Sequence, residues 1–381
     1  MPRSLRLSVL AGLVLVALVA TPAASAAGSA SPPIVIAVEA PITGAQSSNG
    51  VDILRGVKLA VQQANAHGGV LGRRVVLVRG DDRGDASQAE ATARKVIDRR
   101  PVAVIGPYNS SVGLANLPLY REAKVAPVWM TSSDDTRGPG ITLQPMNSQI
   151  APVESAYVRS EGARKVAMLV DDTANGAFTR GMAVRLRKQL QADGVAVTWI
   201  SVQETGDVPV GYYAGKVAEA LASGPDLVYS STYYPEGAQI AQALQAAGTS
   251  PACLMGLANV DPGFVGAAGL GPAQRCVFSG VPKAQQLPSA RSFVRRYRTA
   301  FGAAPGVWGV FSYDSTKVLF SAIRATRGTA YRPLLRALRS VRDAKGQTGP
   351  ISISPRTGYR TSLPFLGILR VDAAGEYVPA H

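Results

Sequence analysis

Short runs of apolar, mostly β-branched residues alternate along this chain with longer stretches whose apolar positions recur every three or four residues. The run Ile34 to Val38 predicts a strand. It leads into a helical stretch with Ile53, Val57, Ala60, Val61 and Ala64 on one face, closed by Gly68-Gly69. Val75 to Val78 predicts a second strand, Ala86 to Ile97 a helix, Val102 to Ile105 a third strand and Ala126 to Met130 a fourth. A second series opens near Lys165. Val166 to Val170 and Val195 to Ile200 predict strands, Met182, Leu186 and Leu190 share a helical face, and Val217 and Leu221 belong to another helix. Leu227 to Ser230 and Cys253 to Met255 continue the pattern.

This alternation implies an α/β fold of two Rossmann-like lobes with parallel sheets. Such sheets turn strand C-terminal ends and helix N-termini toward one crevice, a natural place for a ligand. The last hundred residues show helical patterns at Ser292 to Phe301, Val310 to Ala325 and around Leu334, Leu335 and Leu338. Strand-like pieces follow at Ile351 to Ile353 and Leu363 to Val371. Lacking a complete sheet of their own, they are expected to rejoin the two lobes through several chain crossings that form a hinge. The expected division is 33–148 plus 282–347 for lobe 1 and 149–281 plus 348–381 for lobe 2.

Arg3 and Arg6 precede an apolar run from Leu7 to Ala20, then Thr21-Pro22 and Ala24-Ser25-Ala26. This is the pattern of an export signal, with cleavage expected after Ala26. No cysteine follows the run, so a lipid anchor is not expected, and a soluble protein of the periplasm, cell envelope or exterior is. The 381 residues are 46% apolar and 17% charged, ordinary for a globular chain of about two domains.

The formal charge of +15 raises the question of nucleic acid. The excess is spread along the chain, dominated by 31 Arg against 9 Lys and free of aromatic interleaving, and export also argues against that partner. His67 and His381 are the only histidines, and Cys253 and Cys276 the only cysteines, too few for the familiar zinc spacings. No metal or cofactor is expected. With 22 residues between them in an exported chain, the cysteines are expected to form a disulfide. Motifs for a hydrolase elbow, a phosphate loop or a zinc protease are absent. The pairs Asp81-Asp82, Asp134-Asp135 and Asp171-Asp172 suit strand and loop ends better than acid–base couples.

Several pieces then carry a resemblance by their order: Pro41-Ile42-Thr43-Gly44, Asn65-Ala66-His67-Gly68-Gly69-Val70, Asp81-Asp82, Val104-Ile105-Gly106 before Ser110-Ser111, Pro127 before Thr131-Ser132-Ser133, Asp226-Leu227-Val228-Tyr229 before Tyr233-Tyr234-Pro235-Glu236, and Tyr313-Asp314. The chain resembles type I periplasmic binding proteins of the leucine/isoleucine/valine-binding family. The resemblance implies a two-lobed receptor that closes on a small polar ligand, an amino acid or a related amine, amide or aromatic compound, and delivers it to an ABC permease. It also implies a monomer without catalysis.

In the family's amino-acid binders, the serine matching Ser110 or Ser111 meets the ligand carboxylate at a helix N-terminus. An ordinary N-cap is the alternative. Tyr233 matches a second-lobe tyrosine over the ligand and Trp308 an aromatic wall, although either ring also suits plain core. Tyr108, Asn49 and Asn175 match rim positions. Two departures stand out. Ser132-Ser133-Asp134 replaces an Ala-Ala-Thr pattern, and Gly256-Leu257-Ala258-Asn259 lacks the acid that holds the ammonium group. Either Asp134 takes the ammonium from the opposite lobe, or the ligand is not a standard α-amino acid. Asp261 is a substitute acid unless Asp261-Pro262 only begins a turn. Two other functions fit the same chain: an exported sensor subunit that signals to a membrane receptor, and a secreted hydrolase.

Overall fold

The computed structural model describes Met1 and residues 31–380 apart from 205, 207 and 249. The signal-like segment and His381 lie outside the described residues. Lobe 1 is built on β1 (Ile34–Ala40), α1 (Ser47–Ala66), β2 (Val75–Asp81), α2 (Ala86–Ile97), β3 (Ala103–Ile105), α3 (Ser110–Glu122) and β4 (Ala126–Val128). Its four strands run parallel in the order β2-β1-β3-β4. β1 is buried along nearly its whole length, which is why it reads as a continuous apolar run.

Lobe 2 continues with α4 (Asn147–Ser160), β5 (Lys165–Asp171), α5 (Ala177–Ala192), β6 (Ala196–Val202), α6 (Tyr212–Ala222), β7 (Leu227–Ser231), α7 (Tyr234–Ala246), β8 (Ala252–Met255), α8 (Phe264–Ala268), α9 (Leu270–Arg275) and β9 (Val277–Gly280). α10 (Arg291–Phe301), α11 (Trp308–Ala325) and α12 (Tyr331–Arg339) return to lobe 1. They are followed by the hairpin β10 (Ala344–Gly346) and β11 (Gly349–Ile351), then by β12 (Gly367–Val371) and β13 (Tyr377–Pro379). The second sheet has seven strands in the order β13-β12-β9-β8-β7-β5-β6. The five strands from β9 to the β6 edge are parallel, and β12 and β13 add an antiparallel edge on the other side that periodicity alone does not announce.

Around the expected return at 348 the chain is bonded to α11. Asp314 on α11 accepts hydrogen bonds from the Gln347 and Thr348 amides and the Thr348 hydroxyl. The buried Arg360 guanidinium donates to the Thr348 hydroxyl and to the Thr348 and Pro350 carbonyls. These bonds hold residues 347–360 against lobe 1. Thr142 and Tyr359 pair across the first and third crossings, with the Thr142 amide bonded to the Gly358 carbonyl at 2.9 Å and the Arg360 amide to the Thr142 carbonyl at 3.2 Å. Two of the crossing segments are therefore hydrogen-bonded to each other.

Cys253 and Cys276 are joined in a disulfide between β8 and the start of β9. Closing a loop of this length contributes about 3 kcal/mol in the chain-entropy treatment.

Two buried carboxylates tie helices to sheets, and a third closes a turn. Glu39 on β1 accepts from Asn116 and Tyr120 of α3. Glu154 on α4 accepts from Tyr229 of β7 and Ser279 of β9. Asp82, at the end of β2, accepts from the Gly84 amide. Burial raises the pKa of all three, Glu154 to about 7, against partial lowering by these hydrogen bonds. A group with a raised folded-state pKa contributes stability below its unfolded pKa and loses it as pH rises through the folded value. Asp81 and Asp226, held below the usual range, change nothing above about pH 5. The melting temperature is therefore expected to fall between pH 5 and pH 8, and to fall less in Glu154→Gln. Calorimetry showing a flat or rising profile would contradict this origin.

Candidate functional site

The C-terminal ends of β3, β4 and β7 and the N-terminal turns of α3, α5 and α11 meet at the seam between the lobes. There Tyr108, Ser110, Met130, Ser132 and Trp308 from lobe 1 and Phe178, Tyr233, Leu257 and Ala258 from lobe 2 enclose a cavity of about 20 Å³. That is room for about one water, so a larger guest requires the lobes to part or the rings to turn. Tyr108 and Trp308 lie with ring centroids 6.0 Å apart, and Phe178 and Tyr233 at 6.4 Å, which gives each lobe one aromatic pair at the wall.

Ser110 and Ser111 open α3, where first-turn amides have no intrahelical acceptor and the helix dipole favours negative charge. The Ser110 hydroxyl accepts the Ser133 amide at 3.1 Å and keeps its own proton to donate. The Ser111 hydroxyl is buried without a partner. Ser133 also caps the short turn Asp134–Thr136, accepting the Asp135 amide.

Trp308 is positioned from a distance. Asp52 on α1 accepts the Gly309 amide at 2.6 Å, the Gly306 amide at 3.0 Å and the Tyr297 hydroxyl at 2.8 Å, so one buried carboxylate caps α11 beside the tryptophan. Gly56 allows the two helices to cross there, since a Cβ at that position would lie 2.1 Å from the Gly309 carbonyl oxygen.

The remaining sequence-named residues stand outside the cavity wall. Asp134 accepts the Ser148 amide at 2.9 Å and hydroxyl at 2.7 Å and pairs with Arg185 Nε at 2.9 Å. It closes the seam instead of facing a guest, because the short turn beginning there swings its side chain toward α4 and α5. Asn175 receives the Ala86 amide at 3.0 Å across the mouth and donates to Glu204. Asn259 is occupied with the Thr232 and Gly256 carbonyls. Asp261 accepts the Ser48 hydroxyl and the Gly263 amide, with Asn49 also bonded to it. Burial, first among its causes, brings Asp261 to about 6. Ser48 and Asp261 come from opposite lobes, as do Tyr234 and Ala45, whose carbonyl accepts the tyrosine hydroxyl at 2.7 Å.

Met130, Phe178, Leu257 and Ala258 are wall residues that sequence reasoning did not pick out as candidates. None carries a polar signal, and Leu257 and Ala258 were noticed only in a segment that lacks an acid. Asp171, at the end of β5, is not among the wall residues and was read in the sequence only as half of the Asp171-Asp172 pair. Its Oδ1 accepts from Thr173, its fully buried Oδ2 has no partner, and its charge is, after burial, the largest influence raising the Tyr233 phenol.

A family profile described as periplasmic binding protein matches residues 33–375. The chain belongs to that family. Among its relatives, the Leu/Ile/Val-binding protein homolog 2 of Brucella abortus (strain 2308) is 26% identical over 360 residues, covering 92% of each chain. The leucine-binding protein LivK of Thermotoga maritima superposes with a TM-score of 0.81 at 23% identity, over 91% of this chain and 97% of that one. A solute-binding protein of an ABC transporter from Rhodopseudomonas palustris BisB5, in complex with 3,4-dihydroxybenzoic acid, gives 0.76 at 21% identity over 91% and 95%. The fold is that of the type I, leucine/isoleucine/valine-binding branch: two lobes of mostly parallel sheet joined by multiple crossings. It is a family of solute-binding proteins. Among the described residues, no helix is long and apolar enough to cross a membrane.

Asp52→Ala in this periplasmic binding protein strands two buried amides and a tyrosine hydroxyl, so a loss of about 3 kcal/mol is expected in urea unfolding. Asp134→Ala breaks a partly exposed pair and is expected to cost less than about 1 kcal/mol. Equal costs would remove Asp52 as the anchor of Trp308.

Proposed function

We propose that this protein is the exported solute-binding component of an ABC importer, and that its guest is a small carboxylate with an apolar or aromatic body and no α-ammonium group. One observation carries the ligand class: the nine wall residues include no ionisable acid or base other than tyrosine phenols, while the helix N-terminus at Ser110 and Ser111 supplies donors for a single negative charge. The segment Gly256-Leu257-Ala258-Asn259, where the resemblance leads one to expect an acid, carries none, and its Leu257 and Ala258 give the wall an apolar stretch. Burying an ammonium there without a countercharge costs several kcal/mol. The relative holding 3,4-dihydroxybenzoic acid shows that this fold accommodates an aromatic carboxylate.

A second reading rests on Asp171. One of its oxygens is buried without a partner and its charge acts on the Tyr233 phenol of the wall, and an ammonium reaching it would make the guest an amino acid like those in the names of the Brucella and Thermotoga relatives.

Matched pairs that differ only in the ammonium group separate the two: 3-phenylpropanoate against phenylalanine, and 4-methylpentanoate against leucine. A guest bound only by the folded state stabilises it by about 2.7 kcal/mol at a hundredfold excess over Kd, several degrees in melting temperature. The deaminated member of at least one pair is expected to give that shift and its amino partner less. Ser110→Ala and Tyr233→Ala are expected to weaken binding about tenfold or more, which roughly halves the stabilisation at that concentration. A larger shift with the amino members, abolished in Asp171→Asn, would replace the first reading by the second.

A further inference from the structure

The far side of lobe 1 holds a second concavity, unrelated to the cleft. A groove of about 820 Å³ runs between α12, the C-terminal end of α3 and the loops at 138–139 and 355. Five arginines line it, Arg121, Arg332, Arg336, Arg339 and Arg342, and no aspartate or glutamate does. Arg332, Arg336 and Arg339 share one face of α12 by their spacing.

Two of the five guanidiniums build the groove. Arg339 donates to the Gly138, Gly140 and Pro355 carbonyls, and Arg342 to the Arg339, Val341 and Ile353 carbonyls. Burial, followed by the neighbouring Arg137, lowers the Arg339 pKa. Arg121, Arg332 and Arg336 are exposed, and among the described residues none of the five forms an ion pair with a carboxylate. Like charges gathered around one concavity repel each other, a cost that an anion would relieve. The groove's volume is that of a ligand site, and Leu335, Pro139 and Pro355 give it an apolar floor beneath the charged rim.

We propose that this groove docks an acidic segment of a protein partner, one that alternates carboxylates with apolar side chains. The carboxylates would meet Arg121, Arg332 and Arg336 through fork-shaped pairs, and the apolar side chains would cover Leu335 and the prolines. The mixed surface argues for this occupant: a bare phosphate would use the rim and leave the floor wet. Eleven residues of α3, about 16 Å, separate Arg121 from Ser110, so occupancy of the groove is expected to leave cleft binding unchanged.

The probe is a dye-labelled twelve-residue peptide of Glu with two interspersed Leu, titrated by fluorescence anisotropy at 0.15 M salt into residues 27–381. R332E/R336E changes two exposed arginines without hydrogen-bond partners, and R295E/R298E makes the same charge change on the exposed face of α10. The first is expected to weaken the peptide about tenfold or more and the second less than about twofold. Melting curves of both variants matching the parent's would show that the fold is intact; if R332E/R336E fails that check, R121E replaces it, with the same peptide loss expected. No peptide binding, equal weakening by both double variants, or no dependence on the Leu residues would overturn the proposal. Inorganic pyrophosphate or phosphatidylglycerol vesicles that bind more tightly than the peptide, and are lost in the same variant, would also overturn it.

Discussion

Two parallel sheets aim the C-terminal ends of their strands at one seam, and every feature of the site depends on that arrangement. A parallel strand must be followed by a crossover, so its end delivers the chain into a loop and then into a helix N-terminus. Ser110, Phe178 and Tyr233 all occupy such positions, after β3, β5 and β7. Their side chains converge because the backbone leaves them no other direction. The helix N-termini give the seam a positive electrostatic character although no lysine, arginine or histidine lines it.

Buried carboxylates keep this geometry in register. Glu39, Asp52, Glu154 and Asp314 each join two or more elements that lie far apart in sequence, and each is compensated by several hydrogen bonds. Replacing a partner would leave an uncompensated acid, so these groups specify how helices sit on sheets more than they add to net stability. Asp52 matters most for function, because α11 and its Trp308 are placed through it. Polar bonds between the lobes include Ser48 with Asp261, Ala86 with Asn175, Tyr234 with Ala45, and Ser148 and Arg185 with Asp134. Several are partly exposed, and exposed polar contacts are individually weak. The seam can therefore open without unfolding either half.

The strands of both sheets were legible in the sequence because burial on two faces leaves unbroken apolar runs such as those of β1 and β5. The antiparallel edge β12-β13 was only partly legible, and the attachment of Gln347 and Thr348 to α11 was not, since Asp314 makes it across 33 and 34 residues of sequence. At the site, the residues with a chemical signature, Ser110, Tyr233 and Trp308, stood out. Asp134 stood out as well, yet it belongs to the seam: the difference lies in one short turn, invisible to periodicity. Phe178 and Met130 escaped notice because an apolar wall residue and a core residue have the same composition. Tertiary placement alone separates them.

Small-angle X-ray scattering of residues 27–381, with and without saturating amounts of the carboxylate that most raises the melting temperature, tests the central claim most directly. A cleft that opens to admit its guest and closes on it predicts a radius of gyration smaller by on the order of 1 Å in the bound sample, with the change lost in Tyr233→Ala. Superimposable curves at a concentration where the melting shift is complete would contradict it.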